Sequence, residues 1–572
     1  MDFTIMVGGE AGQGVATVGL ILSKAFAGGG YYVFGDQDYE SRIRGGHNFF
    51  RVRVSDQPIN AISEKLKLLI ALNEETITLH VDELERQRLG GVIFDGDRIK
   101  VVLGEVVDLA VPLEAIGKKV GGSEMAGNSV AVGAAMGVLD FSFLILEKVI
   151  QEQFTAGSKA AESNVNAARA GYDFARANLM GDIDLKVHPL ADRKRMLING
   201  NEAIALGALA VGCKFMTSYP MTPSTPIMEF LAERADEYGL VVTQAEDEIS
   251  AINMVIGASF TGVRAMTATS GGGFCLMVEG LGLAGATETP VVVVEGQRAG
   301  PSTGLPTRTE QGDLEFVLHA AHGEFPRLVL APVSVEDAFY VTVKAFNLAE
   351  KYQTPVIILN DDYLATSYKT IDRFDLSEVM VDRGLIAGPE AIRNGYKRHH
   401  LTESGISPRA YPGIDGAIVV TCGDEHDETG HITEDAVIRK RMVQKRLRKL
   451  EQARADVVPP LVFGPDDADI LLVGWGSTFG PMIEVVETLS GGRTKARLLC
   501  LRDIFPFPRE GFAELFGSPR AAFAVEQNST AQMAHLIRAE TGIHLDRSIL
   551  KYDGRPMTPE YILAALKGAG AW

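Results

Sequence analysis

The run Pro290-Val-Val-Val-Val-Glu295 is apolar at position after position instead of alternating. A strand with that pattern has both faces covered, as in a parallel sheet packed between helices. The same grammar recurs along the chain. Phe3–Val7 reads as a strand, Gly8–Gly14 as a glycine turn, Val15–Ala27 as a helix and Tyr31–Phe34 as the next strand. Val263–Thr269, Ser270-Gly-Gly-Gly273 and a helix to about Thr287 repeat it, as do Leu328–Ala331, Val335–Tyr352 and Pro355–Asn360. A last set comprises Asp469–Gly474, Pro481–Leu489, Ala496–Leu501, Ala521–Glu526 and Ile549–Tyr552. Such alternation predicts an α/β chain of doubly wound parallel sheets with right-handed crossovers. Ligand sites are then expected at C-terminal strand ends. A hairpin is expected at Val92–Val101, turning at Asp95-Gly96. Helices are expected over Ser129–Leu139 and Asn164–Leu179.

A single core stops growing near ~250–300 residues, so 572 residues must divide. The expected pieces are a domain over 1–180, a polar linker at 181–193 and a second domain over 194–425. A helical connection over 426–465 and a last domain over 466–572 follow. The second domain includes a Pro- and Gly-rich region from Asp372 to about Gly423, and such length usually carries a functional loop or a connection. The helix expected over Thr433–Ala455 bears Arg439, Lys440, Arg441, Lys445, Arg446, Arg448 and Lys449. It reads as a solvated face, with docking of an acidic partner as the alternative.

A net charge of −19 argues against a nucleic-acid or anionic-membrane surface. Cys213, Cys275, Cys422 and Cys500 are scattered without C-x-x-C spacing. No zinc or iron–sulfur site is therefore expected from this chain alone, and so few cysteines fit a reducing compartment. The first residues enter a strand without a basic, then apolar, leader, and no apolar stretch reaches ~18 residues. A soluble, cytoplasmic protein is the expectation.

Several near-motifs carry alternatives. Gly8-Gly-Glu-Ala-Gly-Gln-Gly14 follows a strand, opens a helix and precedes Asp36, but its spacing is G-x-x-G-x-G, not the dinucleotide G-x-G-x-x-G. Backbone N–H groups there suit a phosphate, while a tight structural turn and an NAD-dependent dehydrogenase remain open. Gly474-x-Gly-x-x-x-Gly480 reads as a structural turn. Asp424, His426, Asp427 and His431 read as a polar loop before a helix, with Thr429 or Thr433 near its N-cap, in preference to a metal site.

Three segments carry chemistry. In Tyr219-Pro-Met-Thr-Pro-Ser-Thr-Pro226, prolines fix the backbone around Thr222, which suits recognition of a carboxylate or carbonyl but also an ordinary loop. Glu246-Asp-Glu248 directly precedes the apolar helix Ile249–Phe260. A carboxylate there gains from the helix dipole if ionised and is raised in pKa if buried; a plain acidic first turn is the alternative. In Gln297–Gly312, Arg298 and Arg308 are the only cations, and an Arg in a glycine-rich strand-end loop is a natural carboxylate clamp.

Together, Tyr-Pro-x-Thr-Pro-Ser, the helix-opening Glu and Gln-Arg-x-Gly-Pro-Ser-Thr-Gly-x-Pro-Thr resemble the α subunit of the 2-oxoacid:ferredoxin oxidoreductases. The first segment is similar to that family's γ subunit through Gly12–Val15 and Arg44–Gly46. The last resembles its transketolase-C-like domain through Val525–Asn528 and Lys551–Pro556, and Gly423–Asp427 with Gly430-His431 also fits. The resemblance implies a fused γ–α chain whose second domain is a pyrimidine-type thiamine-diphosphate-binding fold. It places on Glu248, with Glu246 as fallback, the glutamate that touches the aminopyrimidine N1′. It places on Thr222, Arg298 and Thr307 the contacts to the 2-oxoacid carboxylate, and coenzyme A near Gly12, Gln13 and Gly14. It further implies oxidative decarboxylation with coenzyme A and ferredoxin, 2-oxoglutarate to succinyl-CoA being favoured. No Gly-Asp-Gly diphosphate motif stands here and the cluster cysteines are missing. Thiamine diphosphate with Mg²⁺ is thus expected to be shared but held mostly by a β subunit, and a [4Fe–4S] cluster to lie on that subunit and not on this chain, in an (αβ)₂ heterotetramer. A non-catalytic assembly subunit is the remaining alternative.

Overall fold

The computed structural model describes residues 1–41, 45–84, 90–101, 106–179, 183, 185–190, 194–492 and 494–572. Arg44 and parts of the expected 181–193 linker lie outside them. The chain forms two compact units. One comprises 1–198 with 366–373 and 558–561, the other 199–365, 374–557 and 562–572.

In the first unit, β1 (Asp2–Ala11), β2 (Tyr32–Asp38), β3 (Gly45–Ser55), β4 (Leu68–Ala71), β5 (Gly91–Asp95), β6 (Val107–Val111) and β7 (Met196–Asn199) join a later strand, β14 (Tyr368–Ile371). Their order is β6-β5-β4-β1-β3-β2-β14-β7. This sheet is mixed, which corrects the wholly parallel expectation: β3 runs antiparallel to both β1 and β2. The alternation in Phe50-Arg-Val-Arg-Val54 is the sequence trace of that strand, with Arg51 and Arg53 turned to ion pairs with Glu83 and Asp2.

The expected hairpin at Val92–Val101 is also absent. After β5 the Asp95 carboxylate accepts from the Asp97 and Glu114 N–H groups at 2.9 and 3.0 Å. The turn thus ends a strand instead of reversing it, and β6 returns parallel to β5. The helices Gly127–Val138 and Lys159–Asn178 pack very closely. A Cβ at Gly133 would collide with the Ala168 carbonyl, and one at Gly171 with the Val130 carbonyl.

The second unit holds two sheets. The larger contains β8 (Phe215–Ser218), β9 (Val241–Gln244), β10 (Ala265–Thr269), β11 (Val291–Gln297), β12 (Leu328–Leu330), β13 (Pro355–Asp361) and β18 (Asp503–Phe505), in the order β18-β12-β13-β11-β10-β8-β9. All its pairings are parallel except that of β18 with β12. The smaller contains β15 (Leu461–Phe463), β16 (Ile470–Trp475), β17 (Ala496–Leu501), β19 (Ala521–Glu526) and β20 (Arg547–Leu550), in the order β15-β17-β16-β19-β20. One continuous core takes Val293, Val329 and Ile357 from the first sheet and Leu471, Val473 and Trp475 from the second.

The basic helix spans Ala436–Ala453 and is capped by Asp435, whose Oδ1 accepts from Val437 and Ile438 N–H at 2.9 Å each. The expectation of a solvated face fails for three residues. Lys445 and Lys449 are buried against Glu288, and Arg446 binds Glu425 through two 2.9 Å bonds. Glu288, remote in sequence, and Glu425, in the loop before the helix, turn it inward.

Candidate active site

The Tyr219–Pro226 loop leaves β8 and is fastened at three points. Asn201 Nδ2 donates to the Pro223 carbonyl at 2.9 Å, Ser224 Oγ donates to the Thr269 carbonyl at 2.6 Å, and Ser224 N–H donates to the Met221 carbonyl at 2.9 Å. The loop rests on the end of β11: a Cβ at Gly296 would meet Ser224 Oγ and the Pro223 ring. Arg298, two residues on, donates from Nη1 to the Thr222 carbonyl at 2.9 Å. Two of the sequence-derived residues thus meet directly. Thr222 anchors the guanidinium through its backbone, a role no side-chain pattern signals.

Thr307 is buried in the loop that leaves β11. That loop closes on itself where Leu305 N–H donates to the Ala299 carbonyl at 2.8 Å and Ala299 N–H to the Arg308 carbonyl at 3.0 Å. Burial lowers the pKa of Arg298, while Asp362, Glu295 and Asp313 oppose that shift. An arginine keeps its charge regardless.

Glu248 opens the helix Glu248–Phe260, whose N-cap Asp247 accepts from Ser250 N–H at 2.7 Å. Its side chain points in and is 3% exposed, whereas Glu246 is exposed. Glu248 Oε1 is buried without a hydrogen-bond partner in the protein. Burial pushes this carboxyl above the ordinary carboxylate value, with Asp247 adding to the effect against a backbone N–H that lowers it. The helix Gly271–Thr287 passes beside it, and a Cβ at Gly273 would collide with both Thr269 Oγ1 and Glu248 Oε1. The glycine makes room for the carboxylate. A buried acceptor without a protein partner can take the donor or proton that a ligand supplies.

Sequence reasoning missed Asp313. Glu295, at the end of β11, is fully buried, and neither of its oxygens has a protein N–H or O–H donor. The Asp313 carboxyl acts on it, and after burial is the largest influence raising its pKa. A glutamate ending an otherwise apolar strand was the available signal.

In the first unit, Gly12 and Gly14 take φ of 91° and 81°, and Gly14 starts the helix Val15–Gly28. Gln13 folds into its own turn, where Oε1 accepts from Glu10 N–H at 2.6 Å and the carbonyl accepts from Asn128 Nδ2 at 2.9 Å. A chain of bonds unseen in the sequence lies in the same unit. His47 Nε2 and His80 Nε2 are 2.7 Å apart, His80 Nδ1 meets Glu83 Oε1 at 2.6 Å, and Glu83 Oε2 meets Arg51 at 2.7 Å. In the polar loop of the second unit, Asp427 Oδ1 accepts from Thr429 N–H at 2.8 Å, an ordinary turn. Among the described residues no three His, Cys, Asp or Glu form a metal-binding group. No described helix is long and apolar enough to cross a membrane.

Two family models match the chain. Residues 206–445 fit the thiamine-diphosphate-binding domain of pyruvate flavodoxin/ferredoxin oxidoreductase, and residues 4–174 fit the pyruvate ferredoxin/flavodoxin oxidoreductase domain. The 2-oxoacid:ferredoxin oxidoreductase subunit alpha of a Sulfolobus species is 35% identical, over 99% of this chain and 96% of its own. The 2-oxoglutarate oxidoreductase subunit KorA of Mycobacterium tuberculosis is 30% identical over 99% and 92%. Among solved structures, the 2-oxoglutarate:ferredoxin oxidoreductase of Magnetococcus marinus, with 2-oxoglutarate, coenzyme A and succinyl-CoA bound, matches at 33% identity with a TM-score of 0.91, covering 99% of both chains. This chain belongs to the 2-oxoacid:ferredoxin oxidoreductases, as an α subunit.

Proposed function

We propose that this subunit takes part in the conversion of 2-oxoglutarate and coenzyme A to succinyl-CoA, and that Glu248 is its proton-transferring residue. The observation that carries the reading is Glu248 Oε1, buried and without a protein partner, its carboxyl admitted only because position 273 is glycine. An aminopyrimidine nitrogen would pair with that oxygen, and a raised carboxyl pKa suits exchange of a proton with it. Thiamine diphosphate, when bound, supplies the electron sink for decarboxylation. This chain's share is to set the proton at Glu248 Oε1 and to hold the 2-oxoacid carboxylate with Arg298, Thr222 and Thr307. The bond from Arg298 to the Thr222 carbonyl supports that grouping, because it fixes the guanidinium in place before substrate arrives.

Coenzyme A is assigned to the turn at Gly12, Gln13 and Gly14, which suits a phosphate at a helix N-terminus. A β subunit in an (αβ)₂ assembly would bring Mg²⁺, the diphosphate contacts and the [4Fe–4S] cluster, with ferredoxin as electron acceptor. The lack of a Gly-Asp-Gly motif and of clustered cysteines in this chain supports that division. The choice of 2-oxoglutarate rests on the relatives whose names specify it.

The test is to purify the chain with its natural partner and assay 2-oxoglutarate, pyruvate and a branched 2-oxoacid side by side, with coenzyme A and methyl viologen. A brown complex fastest on 2-oxoglutarate is expected. A preference for pyruvate overturns the substrate assignment. A colourless protein that reduces only NAD overturns the reaction.

A further inference from the structure

The carboxyls behind Arg298 pose a problem of charge. Glu295 is wholly buried at the end of β11 and finds no N–H or O–H donor. A second carboxyl, Asp313, adds to the effect of burial on it and lies against the first turn of the helix Gly271–Thr287, where a Cβ at Gly271 would collide with it. Asp313 is fixed from behind, its N–H donating to Gln297 Oε1 at 3.1 Å. Two ionised carboxylates repel and cannot hydrogen-bond to one another, so only a shared proton can join them.

The charged and titratable groups around the pair and its guanidinium come from one loop, one helix and the segment after β13. They are Arg298 after β11, Cys275 on the helix Gly271–Thr287, Glu310 in the loop before Asp313, and Asp362 after β13, which acts on the same guanidinium. Arg298 is the only cation among them. With Glu295, Asp313 and Asp362 all ionised, the single guanidinium would be outnumbered three to one, and a substrate carboxylate would meet a net negative site. Burial pushes Glu295 and Asp313 upward, and Glu310 up to about 7, in keeping with proton retention around this clamp.

We infer that Glu295 and Asp313 form a positioning pair that shares one proton, and that this proton is what lets Arg298 bind the carboxylate of a 2-oxoacid. The inference rests on the proposed substrate role of Arg298. Binding an anion beside the pair favours its protonated state, so 2-oxoacid binding takes up a proton as the pair approaches its titration range. Losing the proton at higher pH leaves two negative charges behind the guanidinium and weakens binding.

The experiment uses the complex assembled with its partner. In the native complex, kcat/KM for the 2-oxoacid should fall on the alkaline side by about tenfold per pH unit, the slope of a single ionisation, with KM rising. Glu295→Gln replaces the proton-sharing pair by an amide and a carboxylate of the same total charge, and should remove that fall while keeping binding at lower pH. Asp313→Asn is expected to do the same, which covers the case where one variant does not fold. A second readout needs no variant: calorimetry of 2-oxoacid binding in two buffers of different ionisation enthalpy should show proton uptake at alkaline pH. If both variants lower kcat/KM uniformly and leave the profile unmoved, or if no proton is taken up, the pair is only structural and the inference falls. Arg298→Ala separates the two levels. An unchanged KM there removes the substrate role and this inference with it, whereas a raised KM with unmoved profiles removes this inference alone.

Discussion

Two buried glutamates mark opposite ends of one helix, Gly271–Thr287, and they have opposite surroundings. Glu288 is its C-cap, with a φ of 53°, and is bound by Lys445, Lys449 and, at 3.0 Å, His399 Nδ1. Glu248 lies at the other end with an oxygen that nothing in the protein satisfies. Burial alone would raise both carboxyls. At Glu288 the two lysines and the histidine overcome burial and hold it well below the ordinary carboxylate range, whereas at Glu248 burial prevails. A paired buried charge is a structural part, since removing one member strands the others. An unpaired one lowers stability and persists where function needs it.

The contrast can be broken first at Glu248. Glu248→Gln in the assembled complex should lower turnover by roughly 10²–10⁴-fold, the range for a lost proton-transfer group, while the unfolding midpoint is kept or raised. The sign follows from its raised pKa: the folded state holds the proton longer, so ionisation costs stability as pH rises above the unfolded value, and the amide removes that cost. A variant that loses stability together with activity would make Glu248 another Glu288.

Glu288→Gln should do the reverse, costing about 3–5 kcal/mol of stability because Lys445 and Lys449 are left unpaired. Its lowered pKa means its contribution is present above about pH 4.3 and is lost as pH falls through the folded value. Denaturant unfolding between neutral and acid pH should therefore show a native protein that weakens on acidification. Turnover per folded complex should be near normal.

Smaller effects sharpen the substrate side. Arg298→Ala should raise KM for the 2-oxoacid roughly 10–100-fold, as expected for charge-assisted hydrogen bonds worth ~1.5–3 kcal/mol, with cluster content unchanged. An unaltered KM takes Arg298 out of the site. Gln13→Ala removes one bond within the glycine turn and should cost about 0.5–1.5 kcal/mol locally. The readout is a modest rise in KM for coenzyme A with KM for the 2-oxoacid unmoved, and equal effects on both would place coenzyme A elsewhere.

Much of this was legible in the sequence where local pattern governs. The all-apolar Val291–Val294 stretch became the buried centre of β11, and the loop around Thr222 and the helix-opening Glu248 lie at strand ends, as parallel sheets dictate. What stayed hidden depends on distant partners. Asp95-Gly96 has the composition of a hairpin turn, but the Glu114 N–H, nineteen residues on, recruits the aspartate to end a strand. The basic helix looks like a solvated face until Glu288 and Glu425 are brought against it. The Glu295–Asp313 pair is the clearest case, since neither residue announces a partner and only the folding of one loop over the end of β11 joins them.

If Glu248 sets the proton on the cofactor, turnover reports on that only through later steps. The direct measurement is the rate at which the C2 proton of thiamine diphosphate exchanges with deuterated solvent in the assembled complex, followed by quench and NMR without 2-oxoacid. Native complex should exchange fast and Glu248→Gln roughly 10²–10⁴ times more slowly, with the same amount of cofactor bound. Equal exchange rates in the two would contradict the account.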